Sequence, residues 1–155
     1  MKIFFSISKF LGEEGDHSVI KFNNKKINLI DQSYNSNPLS LKSAIKNFDK
    51  IKSKKSNKYL LIGDMLELGS HSKKLHKSIA PIINQTKIDK VFVKGKMASI
   101  IFAGISKAKK GRILLNKSQI IELIRKDLNN NDYLMIKASL ATGFNDIVKD
   151  LKGLH

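Results

Sequence analysis

The sequence predicts an α/β fold: a Rossmann-like, mostly parallel sheet of five or more strands with helices on both faces. Three observations lead there. Short apolar runs alternate with longer segments whose apolar residues recur at helical spacing. The short runs are apolar throughout, as strands covered on both faces are. Strand–helix alternation at this spacing joins parallel strands through right-handed βαβ units.

Taken in order, Met1 to Lys25 fits the alternation poorly, and Gly12-Glu13-Glu14-Gly15-Asp16 reads as a linker. Residues 1–25 are therefore expected to be the tail of a preceding domain plus linker, and 26–155 the domain itself. Lys26 to Asp31 reads as a strand. Pro38 to Ile51 reads as a helix, because Leu41, Ala44, Ile45 and Phe48 share one face. Asn37 is a good N-cap for it, and Pro38 suits the first helical position. Lys58 to Gly63 is the second strand. A helix follows Gly69 or Ser70, with Leu75, Ile79, Ile82 and Ile83 on one face. Pro81 should kink or split it, since proline removes a hydrogen bond and clashes with the preceding turn. Lys90 to Lys94 is the third strand, and Lys96 to Ile105 a short helix. Arg112 to Leu115 is expected as the fourth strand. Asn116 to Leu128 is a helix with Ile120, Ile121, Ile124 and Leu128 inward. After a turn at Asn129 to Asp132 come a fifth strand, Tyr133 to Lys137, and a last helix, Gly143 to Leu151.

Composition narrows the function. The 155 residues suit one domain, and 41% apolar residues can fill a core. No cysteine is present, and the histidines (His17, His71, His76 and His155) form no H-x-x-x-H pair, so no metal site is expected. No apolar run approaches the ~20 residues of a membrane span. Met1 to Leu11 lacks the long apolar stretch and cleavage site of a signal peptide. A cytoplasmic monomer away from membranes is the expectation. The formal net charge is +16, yet Arg112 and Arg125 are the only arginines, and the lysines are scattered. Arginine is the residue that reads bases and phosphates bidentately, so no specific nucleic-acid partner is expected.

Ligands of open parallel sheets bind beyond the carboxyl ends of the strands. The loops there are Asp31 to Pro38, Gly63 to Gly69, Gly95-Lys96 and Lys137 to Gly143. Caps and turns explain Asn37, Pro38, Gly63 and Gly69. They do not explain why Asp31, Tyr34, Asn35, Asp64 and Glu67 gather on one rim, which points to a ligand site. There is no P-loop, because Gly95-Lys96 is followed by Met97 and the upstream glycine is missing. A G-x-S-x-G elbow is absent too.

Three segments then carry a resemblance. Ile30-Asp31-Gln32-Ser33-Tyr34-Asn35-Ser36-Asn37-Pro38-Leu39-Ser40 resembles the I-D-D-S-Y-N-A-N-P-x-S segment of the muramoyl-tripeptide–D-alanyl-D-alanine ligases, within the Mur ligase family. Ile62-Gly63-Asp64-Met65-Leu66-Glu67-Leu68-Gly69, followed by His76, resembles their L-G-D-M-L-E-L-G…H segment. Lys137-Ala138-Ser139, with Ile147-Val148 and Leu151 behind it, resembles their K-G-S…V-x-x-L ending. Order and spacing agree over most of the chain, Ile27 to Leu151. The departures are Gln32 for the second aspartate, Ala138 for the glycine, and Phe144-Asn145 for the usual Met-Glu pair.

The resemblance implies an ATP-dependent peptide ligase of peptidoglycan precursor synthesis, built of three domains. A first domain would bind UDP-N-acetylmuramoyl-tripeptide, a central one would carry the P-loop, and this C-terminal one would close over ATP. The tripeptide carboxylate would become an acyl-phosphate, attacked by the amine of D-alanyl-D-alanine, with Mg2+ bridging the phosphates. ATP and Mg2+ would be held mainly by the central domain, so this chain alone is expected to be inactive. By the same resemblance Asp31, Gln32, Tyr34, Asn35 and Asn37 would face the nucleotide, Asp64, Met65 and Glu67 the dipeptide, and Lys137 and Ser139 the reacting centre. The alternative is a stand-alone basic Rossmann-like module binding nucleotides or nucleic acid.

Overall fold

The computed structural model describes residues 16–153. Its strands are β1 (Asp16–Phe22), β2 (Lys25–Gln32), β3 (Lys58–Gly63), β4 (Lys90–Lys94), β5 (Lys110–Ile113) and β6 (Tyr133–Lys137). They form one six-stranded sheet in the order β1-β2-β6-β3-β4-β5. Every neighbouring pair is parallel except β1 with β2. The helices are α1 (Pro38–Asp49), α2 (Ser72–Lys77), α3 (Ala80–Asn84), α4 (Ala98–Gly104), α5 (Lys117–Lys126) and α6 (Phe144–Lys152).

The pleat divides the core in two. Ile30, Leu60, Ile62, Val91, Val93 and Met135 face one side, where α1, α3 and α4 cover them with Leu41, Ile45, Phe48, Ile83 and Ile101. Leu29, Tyr59, Leu61, Phe92, Leu134 and Ile136 face the other, under Ile120, Leu123 and Ile124 of α5 and Phe144, Val148 and Leu151 of α6. Successive strand residues pointing to opposite faces, both buried, are what make the strands read as unbroken apolar runs. The helix expected around Pro81 is split, as the proline requires: α2 ends at Lys77 and α3 takes Pro81 into its first turn, where a missing N–H is harmless.

Two expectations need revising. The sheet begins at Asp16 rather than Lys26, because Asp16–Phe22 pairs antiparallel with Lys25–Asp31. The missed signal is the turn. Asn23 and Asn24 both have positive φ, 46° and 68°, and Phe22 lies opposite Lys25. Two left-handed residues between paired strands are the hairpin geometry that asparagine tolerates. Residues 1–15 of the expected tail lie outside the described residues. The strand expected at Arg112 to Leu115 lies two residues earlier, at Lys110–Ile113. An irregularity between Val91 and Val93 shifts its register on β4.

Candidate functional site

Strand register brings the four loops together. Gln32 lies opposite Lys137 on one side of β6, and Ile62 opposite Lys137 on the other. Gly63 lies opposite Lys94 on β4. The residues expected on one rim (Asp31, Gly63, Gly95 and Lys137) do share the carboxyl edge of the sheet.

Polar side chains staple these loops to one another. Lys137 is 1% exposed, and its ammonium donates to the Asn35 carbonyl. The Ser139 hydroxyl donates to the Ser36 carbonyl at 3.3 Å and accepts from the Leu66 amide at 3.0 Å. The Ser139 amide donates to the Asp64 carbonyl at 3.3 Å. Asp64 Oδ1 accepts from the Ala98 amide at 2.7 Å, at the start of α4. Gly95 is pressed against that carboxylate: its φ is 129°, and a Cβ there would fall 2.3 Å from Asp64 Oδ1. Only glycine suits both constraints. Gly63 is fixed likewise by packing, since a Cβ would sit 2.5 Å from the Phe144 ring and 2.7 Å from the Ala138 methyl.

His76 is the positioning residue that sequence reasoning noticed only as part of a motif. It is fully buried. Its Nε2 accepts from the Met65 amide at 3.0 Å, and Nδ1 lies 2.8 Å from the Ser72 carbonyl. The ring proton therefore sits on Nδ1. Spacing within α2 was the available signal: His76 lies one turn beyond Ser72, so its ring caps one carbonyl while reaching back to the preceding loop.

Several of the expected site residues also build the rim itself. Asp31 is 1% exposed; one carboxylate oxygen accepts from the Ser33 amide at 2.9 Å and the Ser33 hydroxyl at 2.5 Å. Gln32 is buried beside it. Met65 packs in the core, its amide on His76. The Asn37 side chain is spent on the N-cap, accepting from the Ser40 amide at 2.8 Å, with the Asn37 amide on Ser40 Oγ in return. Lys137 and Ser139 hold loops to one another. Behind Asp31, Lys152 bridges Asp16 at 2.6 Å and Asp31 at 3.8 Å. Burial works to lower the Lys152 pKa, but the Asp16 hydrogen bond and the two carboxylates raise it above its ordinary value.

What remains open is a cleft of about 500 Å³ whose walls include Tyr34, Asn35, Glu67, Ser139 and Leu140. Tyr34 is 51% exposed, and Asn35 and Glu67 are exposed. A tyrosine ring for stacking and an asparagine amide for paired hydrogen bonds suit a nucleoside. The phosphate end finds less: among the described residues no group of His, Cys, Asp and Glu is placed to hold a metal ion. The side chains here fit the nucleoside part of a nucleotide, not its phosphates or Mg2+.

Fold and cleft together define a Rossmann-like α/β domain with an open cleft at the carboxyl edge of its sheet. The chain belongs to the Mur ligase family: residues 18–140 match the model of the Mur ligase, glutamate ligase domain. It is 33% identical over 128 residues to the UDP-N-acetylmuramoyl-tripeptide–D-alanyl-D-alanine ligase of Bacillus subtilis, covering 81% of this chain and 28% of that protein. It is 34% identical over 125 residues to the ligase of the same name from Buchnera aphidicola, covering 79% and 26%. The chain thus spans under a third of these relatives. In fold it is similar to the MurF ligase of Thermotoga maritima crystallised with ADP, with a TM-score of 0.69 and 21% identity over 88% of this chain and 30% of that one. A folylpolyglutamate synthase from the same organism shares the fold at a TM-score of 0.54 and 14% identity, over 90% and 31%.

Proposed function

We propose that the chain is the C-terminal domain of an ATP-dependent ligase that joins D-alanyl-D-alanine to UDP-N-acetylmuramoyl-tripeptide in cytoplasmic peptidoglycan precursor synthesis. One observation supports this most. The three segments that resemble such ligases, far apart in sequence, meet at one rim and are bonded to each other there through Lys137 and Ser139. The relatives carrying that ligase name support it further, and family membership speaks against a stand-alone basic module.

On this reading Tyr34 and Asn35 contact the nucleoside of ATP, and the Asp64 to Glu67 loop borders the dipeptide. Lys137 and Ser139 act as positioning residues. They hold the nucleoside loop and the dipeptide loop in fixed relation, where a misplacement of about 1 Å is costly to rate. Bound ATP would supply the phosphoryl group that activates the carboxylate. The phosphates and Mg2+ belong with the domains that make up the rest of the relatives' length.

The test is an assay of the purified chain with ATP, Mg2+, UDP-N-acetylmuramoyl-tripeptide and D-alanyl-D-alanine, repeated after adding the other two domains as a separate polypeptide. Turnover is expected only on mixing. Turnover by the chain alone, or none from a mixture shown to associate, would sink the assignment.

A further inference from the structure

We propose that a basic hollow at the amino edge of the sheet binds a compact anion carrying several phosphates. The inference stands apart from the ligase reading and concerns the edge opposite the rim.

The hollow forms where three segments meet: the end of α1, the loop from Ile51 to Asn57 and the turn before β4. Its volume is about 700 Å³, in the range that encloses small ligands. Hydrogen bonds hold the walls together. Asp49 accepts from the Lys87 amide at 2.8 Å and Asp89 from the Lys58 amide at 2.7 Å. The Lys58 ammonium, on a buried side chain, donates to the Asp49 carbonyl at 2.7 Å. Both carboxylates and this lysine are thus committed to the frame.

Five further lysines are not. Lys50, Lys52, Lys54, Lys55 and Lys87 line the hollow and are exposed. Among the described residues none of their ammonium groups makes a hydrogen bond or an ion pair. That separates them from Lys25 and Lys109, which end on carbonyls. Like charges gathered on one wall repel and weaken the compact state, so the fold gains nothing from them. Their field reaches the buried lysine. Burial is the main cause of a lowered Lys58 pKa, and the Lys87 charge adds to it against Asp49 and Asp89.

The lining also selects among anions. It holds no aromatic ring to stack a base and no arginine to fork onto a carboxylate. Its one large apolar residue, Ile51, is buried, so nothing there anchors in a bilayer. What is left is a concave array of ammonium point charges, the complement of dense phosphate charge. The six residues of β3, Lys58 to Gly63, put the rim about 17 Å away at the ordinary strand rise.

The experiment is an amide chemical-shift titration of the chain with inorganic triphosphate, without Mg2+. It is run at ~0.15 M salt, where exposed charges more than about 8 Å apart are largely screened. Two triple variants of equal charge are compared: Lys52→Gln/Lys54→Gln/Lys55→Gln in the loop, and Lys73→Gln/Lys74→Gln/Lys77→Gln on α2. All six side chains are exposed. Shifts should centre on the three wall segments. The loop variant should bind about tenfold more weakly or worse, the combined effect of three partly screened charge contacts. The α2 variant should weaken binding less than about twofold. Equal weakening by both, or shifts spread over the whole surface, would overturn the site. ATP under the same conditions separates two sources of the anion. Equal shifts at the hollow support the phosphate tail of a nucleotide, and shifts with triphosphate alone support a free inorganic anion. A single-stranded oligonucleotide that binds the hollow more tightly than triphosphate, at equal phosphate concentration, would overturn the compact-anion reading.

Discussion

The two edges of the sheet are built from different residues for one physical reason. In βαβ units each helix runs back against its strands, so helix amino ends emerge at the carboxyl edge and helix carboxyl ends at the amino edge. At the carboxyl edge the exposed groups are N–H donors, and acceptor side chains meet them. Asn37 caps α1, Asp64 takes the Ala98 amide of α4, and Asn116 takes the Gln119 amide of α5 at 3.0 Å. At the amino edge the exposed groups are carbonyls, and lysines meet them. Lys58 donates to the Asp49 carbonyl at 2.7 Å, Lys25 to Arg125 and Leu128 at 2.7 and 2.5 Å, and Lys109 to Thr86 and Ile88 at 2.7 Å. Each edge thus satisfies the orphan backbone groups and dipole of the helices that end there.

This changes how the net charge of +16 is understood. Part of the lysine excess finishes helices and loops at the edge away from the ligand rim. That edge also holds the larger hollow, about 700 Å³, with Lys50, Lys52, Lys54, Lys55 and Lys87 on its walls. Its two carboxylates are already committed, Asp49 to the Lys87 amide and Asp89 to the Lys58 amide. Cavity size alone would therefore choose the edge opposite the one where the three motif segments meet.

The sharpest way to break the comparison is to remove one buried lysine from each edge. Lys137→Ala should destabilise by about 3 kcal/mol or more, since it vacates a buried site and frees the Asn35 carbonyl. Lys58→Ala, whose ammonium meets a single helix-end carbonyl, should cost about 1 kcal/mol. Urea unfolding measures both, and equal losses would erase the distinction between a rim staple and an end cap. A finer test lies within one loop. Asn37→Ala should cost ~1 kcal/mol of stability with nucleotide affinity unchanged. Asn35→Ala should leave melting unchanged and raise the KM for ATP in the reassembled enzyme.

The smallest effect concerns pH. Burial is the main cause of a lowered His17 pKa, opposed by its Asn28 hydrogen bond and by Asp16. The unfolded chain then binds the His17 proton more readily than the folded one. Its contribution to stability is complete above the ordinary value of 6.5 and is lost as pH falls from there through the lowered folded value. His17→Gln should flatten the stability–pH curve in that window, and an unchanged slope would remove His17 as its source.

How far the sequence could be read differs by region for the same reasons. The parallel strands and α1 were legible because burial on both faces leaves unbroken apolar runs, and because Asn37-Pro38 is strong start chemistry. β1 was not: it is an edge strand with one buried face, so Asp16, His17 and Lys21 dilute its apolar signal, and only the Asn23-Asn24 turn marks it. The rim was legible as a place. The burial of its side chains was not, because nothing in the motifs shows that Asp31, Met65 and Lys137 lie inside the fold. Only tertiary packing separates a lysine that meets a substrate from one that meets a carbonyl 102 residues away.

The position of β6 has a consequence for how the chain comes into being. The strand that joins β2 to β3 is the last in sequence, Tyr133–Lys137. During synthesis from the amino end, the β1–β2 ribbon and the β3–β4–β5 ribbon have no partner strand between them until those residues leave the ribosome. Until then two apolar strand edges stand open, the kind of exposure that invites mispairing and chaperone attention. Lys137, which ends that strand, and Ser139 just beyond it then lock both halves of the rim together. Closure of the sheet and completion of the ligand rim are one late event, so a nascent chain stalled before Tyr133 should be neither folded nor able to bind.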